Sequence, residues 1–451
     1  MKTNFITVLT LFVLFLASCN EKDPSEYAAQ AHNPKLIHGA VERMTDVMVH
    51  DIVSPPVASR FYAYPIIAAY EALIPEHPQQ RSLAGQLRAL SPLPQPPAGQ
   101  QICYPLASLH AYLKTAQAMV FSEDSITTYA EGVYKAFEEM GVSDRIMQNS
   151  LGYGQAVADH ILAWADQDLY KETRTYERFT VTPEAGRWQP TPPDYMEPIE
   201  PHWNKIRPFL IDSANQFVPE RPTPYDVSEG SPFYQELMEV YDAVTKASPE
   251  DSSIAAFWDC NPYVSHHAGH VMFATKKITP GGHWVGITAI ACQQDSLDLM
   301  RSVETYTWVS LALADAFIAC WDEKYRSELI RPETVINEYV DPNWEPILQT
   351  PPFPEYTSGH SVISTAAAVV LTDMFGENYA FLDTTELEYG LPPRSFNSFL
   401  EASDEAAISR LYGGIHYMPA IKQGVAQGKG VGKLIIRRLK TRNEEGLASD
   451  E

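Results

Sequence analysis

Three groups of residues between Lys324 and His416 have the types and spacing to bind a buried tetrahedral oxyanion. Lys324 is followed by six residues and Arg331-Pro332. Then come Ser358-Gly359-His360 and, further on, Ser409-Arg410, five residues and His416. The set supplies three fixed cations, a hydroxyl, a backbone N–H beside a glycine and two histidines. Arginine forks bind oxyanion oxygens in two places at once. Glycine admits close approach of the backbone. A histidine can serve as ligand, nucleophile or proton carrier near neutral pH.

The neighbouring residues indicate the elements that carry these groups. Lys324 ends an apolar-rich helical run, Trp308 to Cys320. Pro332 biases Arg331 away from the α conformation and suits the first turn of a new helix, Pro332 to Glu338. Ser358-Gly359 precede an apolar, alanine-rich run, Val362 to Met374. They are therefore expected at a helix N-terminus, where free N–H groups and the dipole favour an anion. Arg410 and His416 are six apart, so one straight helix would point them to different faces. Gly413-Gly414 breaks that helix and lets both converge.

This ordered pattern resembles the signature of the vanadium-dependent haloperoxidases and of the type 2 phosphatidic acid phosphatase-like acid phosphatases that share their fold. The family form is Lys-x6-Arg-Pro, Pro-Ser-Gly-His and Ser-Arg-x5-His. The resemblance implies an all-α fold, a large helical bundle, and a vanadate cofactor. It implies that His416 bonds vanadium in an apical position. Lys324, Arg331, Ser358, the Gly359 N–H and Arg410 would hold the equatorial oxygens. His360 would act as acid and base, and Lys324 as the cation that polarises the oxidant. Trp321 and Phe353 match pocket positions of the haloperoxidase branch. The implied partners are hydrogen peroxide and a halide. The stretches Ser54 to Arg60 and Ala314 to Tyr325 are similar to bacterial vanadium-dependent iodoperoxidases, which points to iodide first and bromide next. Phe353 pulls the other way, toward chloride-type enzymes.

Two positions depart from the family pattern. Thr357 replaces the proline before the serine, a change at a turn. Ala420 stands where the family usually has an aspartate that orients the ligand histidine. A ligand histidine normally donates its second N–H to a carboxylate, carbonyl or water. A carbonyl or another side chain is therefore expected behind His416. The rival activity is that of an acid phosphatase, with His416 attacking phosphorus and His360 protonating the leaving alcohol. Trp321, Phe353 and the large extra helical body favour the peroxidase. A non-catalytic oxyanion-binding lipoprotein is a third possibility, resting on Ala420 alone.

The ends of the chain read differently from its body. Lys2, an apolar stretch from Phe5 to Leu16, and Leu16-Ala17-Ser18-Cys19 resemble a bacterial lipoprotein signal, with Cys19 as the lipidated residue. Residues 1–18 are then a signal peptide and 19–32 a flexible tether. Residues 33–440 form a single helical domain and 441–451 a polar tail. The expected location is the cell envelope, with membrane contact only through the lipid. With 57 acidic and 33 basic residues the net charge is −24, which argues against nucleic-acid binding. The oxyanion site is thus a local positive focus in an acidic molecule. The remaining cysteines, Cys103, Cys260, Cys292 and Cys320, match no zinc spacing and could be bridged or free.

Apolar periodicity predicts helices over Leu36–Val53, Val57–Leu73, Leu106–Phe121, Ser125–Met140, Ser143–Leu169, Tyr234–Val244, Val264–Lys276, Ser296–Cys320, Ala402–Leu411 and Ile421–Leu439. Val181 to Pro224 is irregular and proline-rich, suited to wrapping the surface or lining an active-site mouth. Gly424, Gly428 and Gly432 mark a close helix–helix contact. His266 and His270 fall on one face of an expected helix and are read as ordinary rather than metal-bound histidines. Trp258, Asn261-Pro262-Tyr263 and His283-Trp284 are read as pocket wall or core. No Gly-x-Ser-x-Gly elbow is present.

Overall fold

A computed structural model describes residues 24–268 and 270–443. Cys19 and the expected signal segment lie outside the described residues. The first half contains α1 (Pro24–Ala31), α2 (Lys35–His50), α3 (Pro55–Leu73), α4 (Tyr104–Gln117), α5 (Glu123–Met140), α6 (Asp144–Ala165) and the one-turn α7 (Tyr170–Thr173). After a long irregular stretch come α8 (Pro232–Thr245), α9 (Pro249–Phe257) and a hairpin of β1 (Val264–Ala268) and β2 (Val271–Thr275). The chain continues through α10 (Pro280–Gln294), α11 (Leu299–Ser327), α12 (Pro332–Tyr339) and α13 (Gly359–Phe375). A small antiparallel pair, β3 (Phe381–Asp383) and β4 (Arg394–Phe396), precedes α14 (Phe399–Tyr412) and α15 (Met418–Arg438). The architecture is all-α with two minor two-stranded sheets.

The ends of the site-bearing helices follow from their sequence. Ser358 caps α13, its Oγ accepting the Ser361 N–H. Arg331 sits in extended conformation (φ −79°, ψ 149°) just before Pro332, the first residue of α12. Gly414 turns the chain between α14 and α15 at φ +80°, a conformation that favours glycine.

Helix α11 is the axis of the molecule. Among the described residues it is the helix long and apolar enough to cross a membrane, yet it lies buried inside the protein. It packs against α3 and α10 on one side and α13 and α15 on the other. Contacts of α3 with α4 and α6 build the first bundle, and those of α13 with α14 and α15 build the second. Helix α15 reaches α13 through the expected glycine row. A Cβ on Gly428 would lie 2.2 Å from the Val362 carbonyl, and one on Gly424 3.0 Å from that of Ser358. Only glycine permits this approach, which sets the first turns of α13 against the first half of α15.

The irregular stretch is strapped to α11 by a buried carboxylate. Asp315 accepts the N–H groups of Phe209 (2.7 Å), Leu210 (2.7 Å) and Ile211 (2.9 Å). A carboxylate with three amide donors replaces the water that these groups lose. Trp188 and Trp203 are buried under the same strap.

Several expectations fail here. Val264–Lys276 is not a helix: Val264 pairs with Thr275 and Ala268 with Val271, leaving two residues between the strands. Glycine followed by any residue is a favoured two-residue hairpin connection, and Gly269-His270 is such a signal. His266 therefore lies on β1, stacked on Phe273 at 5.1 Å, and does not share a helical face with His270. The expected tether is helical in part, since α1 buries Tyr27 and Ala31. The expected tail begins inside the body. The Thr441 hydroxyl donates to Glu304, and the Arg81 N–H donates to the Thr441 carbonyl at 2.8 Å. Helices α9 and α10, which carry little periodicity, were not anticipated. The four cysteines are buried free thiols.

Candidate active site

The second and third sequence groups meet at one cavity of about 290 Å³, and the first, Lys324 and Arg331, lies buried behind it, with Arg331 Nη1 3.3 Å from His416 Nε2. Gly359, His360, Arg410 and His416 line it, together with Trp321 and Phe353. Lys324 sits in the last turn of α11, Arg331 before α12, Ser358 before α13, Arg410 at the end of α14 and His416 just before α15. Each charged group thus comes from a helix end, where a side chain can turn inward without interrupting packing.

His416 has its tautomer fixed from both sides. Its Nδ1 lies 2.8 Å from Glu355 Oε1, an oxygen that also accepts the Tyr417 N–H at 2.9 Å. Its Nε2 lies 3.3 Å from Arg331 Nη1, which can only donate. The proton therefore resides on Nδ1, and the unprotonated Nε2, on a ring that lines the cavity, stands beside Arg331. Burial, and then Arg331, Lys324 and Arg410, hold the ring well below its usual pKa, so it is neutral at neutral pH. Glu355 supplies the carboxylate missing at Ala420. Burial pushes its own carboxyl up to about 7 against the pull of Arg331. The backbone of Ala420 serves the anion site in a different way, because its carbonyl accepts the Ser358 N–H at 3.1 Å. Sequence reasoning expected a carbonyl or side chain behind His416 but did not find Glu355, three residues before Ser358, because no spacing marks an outer carboxylate.

His360 is fixed in a similar way. Its Nε2 lies 3.2 Å from Arg410 Nη1, a donor, so this nitrogen is an acceptor. Burial, followed by the charge of Arg410, holds this ring also well below its usual pKa. Arg410 Nη1 donates as well to the Trp258 carbonyl at 2.5 Å. Sequence reasoning placed Trp258 as wall or core, and missed this carbonyl as the anchor of Arg410.

The arginines are anchored on one side and open on the other. Arg331 donates Nε to the Phe353 carbonyl (2.9 Å) and Nη1 to that of Ile415 (2.8 Å). Its Nη2, and Nε of Arg410, are buried without a hydrogen-bond partner among the described residues. Buried guanidinium donors without partners are costly and call for an anion. At Gly359 a Cβ would meet nothing nearer than the Trp321 ring at 3.9 Å, so the missing side chain leaves room in the cavity. These features fit a tetrahedral oxyanion.

Lys324 departs from the expectation that it turns fully to the oxyanion. Its ammonium donates to the carbonyls of Pro354 (3.1 Å), Glu355 (3.1 Å) and Thr357 (2.5 Å). It also lies 4.9 Å from the centre of the Phe353 ring. Burial lowers its pKa to about 8, which leaves it mostly charged at neutral pH. The position of Thr357 is more than a turn residue, since its hydroxyl donates to Gln427 of α15 at 2.8 Å, a bond proline could not make.

Above the polar floor the cavity is apolar. Trp321 and Phe353 pack at 5.0 Å between ring centres. Met196 and Ile199 of the strap close one side, and Asn261-Pro262-Tyr263 another. The Trp321 indole N–H donates to the Ile199 carbonyl at 3.2 Å and ties the strap to α11. His283 and Trp284 do not line the cavity; the Trp284 indole donates to Ser364 at 2.8 Å in the core.

Comparisons with known proteins identify the family. Residues 304–445 match the family model described as the VCPO second helical-bundle domain. The solved structure of the first bacterial vanadium-dependent iodoperoxidase shares 51% sequence identity with a TM-score of 0.87, covering 91% of this chain and 98% of that one. A holo-type bacterial vanadium-dependent chloroperoxidase has the same fold at 17% identity and a TM-score of 0.67, covering 93% and 97%. A search of the curated proteins gives no match. With half of its residues identical over nearly the whole length of a solved member, this chain belongs to the vanadium-dependent haloperoxidases.

Proposed function

We propose that this enzyme uses bound vanadate to oxidise halide with hydrogen peroxide, giving hypohalous acid, and that iodide is its preferred halide with bromide second. The carrying observation is the pair of tautomer-fixed, neutral histidines lining one cavity, each beside an arginine that holds a buried unpartnered donor. Vanadate, when bound, supplies a Lewis acid that activates peroxide toward halide while staying in one oxidation state. His416 Nε2 would bind the vanadium, its Nδ1 proton held by Glu355. Arg331 Nη2, Arg410 Nε, the Gly359 N–H and the Ser358 hydroxyl would hold its oxygens. Lys324 adds fixed positive charge from the floor. His360 takes and returns the proton of peroxide.

Iodide suits the mouth because it is the most easily oxidised and least strongly hydrated of the three halides. Trp321, Phe353, Met196 and Ile199 offer it an apolar path at little desolvation cost. The iodoperoxidase at 51% identity supports the same choice.

Metal-stripped protein should oxidise iodide to triiodide in the presence of peroxide only after orthovanadate is added, and phosphate should compete with that activation. The arginine cage binds either tetrahedral anion, so the competition follows from its charge and shape. Equal rates with and without vanadate would remove the oxidative reading. Hydrolysis of phosphate monoesters that vanadate inhibits, without iodide oxidation, would replace it by the phosphatase.

The N-terminal segment supports a further proposal, that Cys19 is lipidated and anchors the enzyme in the bacterial envelope. Several acyl chains anchor stably where one does not. Mass spectrometry of the native protein should find a triacylated or diacylated Cys19 as first residue; an unmodified N-terminus would refute it.

A further inference from the structure

We propose that Cys260, His283 and Glu386 form a zinc site behind the oxyanion cavity, with Asp383 as the outer carboxylate that orients His283. No zinc motif is legible in the sequence because the ligands come from three distant segments. Cys260 follows α9, His283 is in the first turn of α10, and Glu386 lies in the loop after β3. Cys260 Sγ, His283 and Glu386 offer ligand atoms that all lie within 4.8 Å of one another. His283 Nδ1 is 3.4 Å from Cys260 Sγ and 3.2 Å from Glu386 Oε1. Zn–S of ~2.3 Å and Zn–N or Zn–O of ~2.0 Å at tetrahedral angles require ligand separations of about 3.5 and 3.3 Å.

The other side of the ring is built as metal sites require. His283 Nε2 lies 2.8 Å from Asp383 Oδ2, and the Thr385 hydroxyl donates to Asp383 Oδ1 at 2.7 Å. A carboxylate on one nitrogen fixes the proton there and turns the other lone pair to the metal. His283 and Glu386 are fully buried, and neither oxygen of Glu386 has a hydrogen-bond partner among the described residues. The contact of Glu386 Oε1 with His283 Nδ1 leaves Oε2 with no donor at all, and a dry carboxylate served so poorly is costly. Zinc bound by sulfur, imidazole and carboxylate removes that cost. Thiolate and carboxylate together neutralise its charge, and sulfur, imidazole and carboxylate are its usual ligands. Cys260 borders the cavity, which gives a solvent molecule access to the fourth position.

The site would staple the segment that anchors Arg410. Trp258 stacks on His283 at 4.4 Å between ring centres, and its carbonyl receives Arg410 Nη1. Zinc at Cys260 and His283 therefore fixes both ends of this contact.

The test uses the full chain purified without chelator. One zinc per chain should survive dialysis, and cobalt(II) exchanged into the site should show tetrahedral absorption with a sulfur-to-cobalt charge-transfer band. Cys260→Ala should lose that band, whereas Cys103→Ala should keep it. Asp383→Asn should lower zinc affinity by about 10–100-fold, as loss of an outer carboxylate does. Absence of zinc and of the sulfur band in the wild-type chain overturns the proposal, and that reading stands even if the variants fail to fold. Zinc retained equally by Cys260→Ala and Glu386→Gln also overturns it. Vanadate enters none of these measurements, so their failure would leave the peroxidase assignment intact.

Discussion

His416→Ala should release vanadium entirely under conditions where the wild-type enzyme retains it. His416 and His360 each place an unprotonated Nε2 beside an arginine, at 3.3 Å from Arg331 and 3.2 Å from Arg410; what sets His416 apart is the Glu355 carboxylate behind its Nδ1, the outer partner of a ligand histidine. Loss of a ligand should exceed the ~10–100-fold that loss of an outer partner costs. That smaller loss is the expected result for Glu355→Ala, which strips the acceptor from Nδ1 and frees the ring to rotate or change tautomer. Glu355→Gln should recover part of it, because the amide oxygen can still accept from Nδ1. The measurement is vanadium per chain after dialysis, followed by titration with orthovanadate. Full occupancy in His416→Ala would mean that the metal ligand is another residue. Unchanged affinity in Glu355→Ala would mean that the ring is held by its packing alone.

The contrast between His416 and Glu355 shows what the sequence could and could not reveal. His416, Arg410, Arg331 and the Ser358-Gly359-His360 step were legible because their function demands fixed residue types at fixed spacings. The helices that present them were legible from capping signals: Pro332 after Arg331, Ser358 before an alanine-rich run, Gly413-Gly414 between Arg410 and His416. Glu355 was not, since an outer carboxylate can reach a histidine from any neighbouring segment. Its identity follows from packing, not spacing. The same holds for the Trp258 carbonyl, a backbone atom that no residue type announces. The hairpin at 264–275 was misread for a different reason. Its histidines and alanines carry no strong strand propensity, and an exposed two-stranded pair has no buried face to impose alternation. Val271, Met272 and Phe273 are all more than half exposed. Helix α10 escaped because it is buried on several sides, which erases the helical period in hydrophobicity, and α9 because it is only nine residues long and buries just Ala255 and Phe257.

His360→Ala should separate binding from turnover. The variant is expected to keep much of its vanadate, because His416, Arg331, Gly359 and Ser358 are untouched. It should nevertheless lose iodide oxidation by ~10²-fold or more, the usual contribution of a positioned acid–base group. The argument rests on where the proton can go. His360 Nε2 accepts from Arg410 at 3.2 Å, and burial with that guanidinium holds the ring neutral at neutral pH. A neutral imidazole is competent to take the first proton of peroxide. An oxyanion bound beside it stabilises the imidazolium that results and raises its pKa toward the working range. Because the free-enzyme pKa of His360 is depressed, the limb that this ring sets should lie on the acid side, where the ring is already protonated. That acid limb should disappear in His360→Ala, and the residual rate should vary little with pH. Arg410 loses one partner in the variant but keeps the Trp258 carbonyl, so its hold on the oxyanion should weaken only modestly. Steady-state rates across pH, set beside vanadium content of the same samples, distinguish the outcomes. A variant that binds vanadate normally and turns over at the wild-type rate would move the proton to water or to another residue. A variant that loses vanadate in step with activity would make His360 a binding group, acting through Arg410 rather than on peroxide.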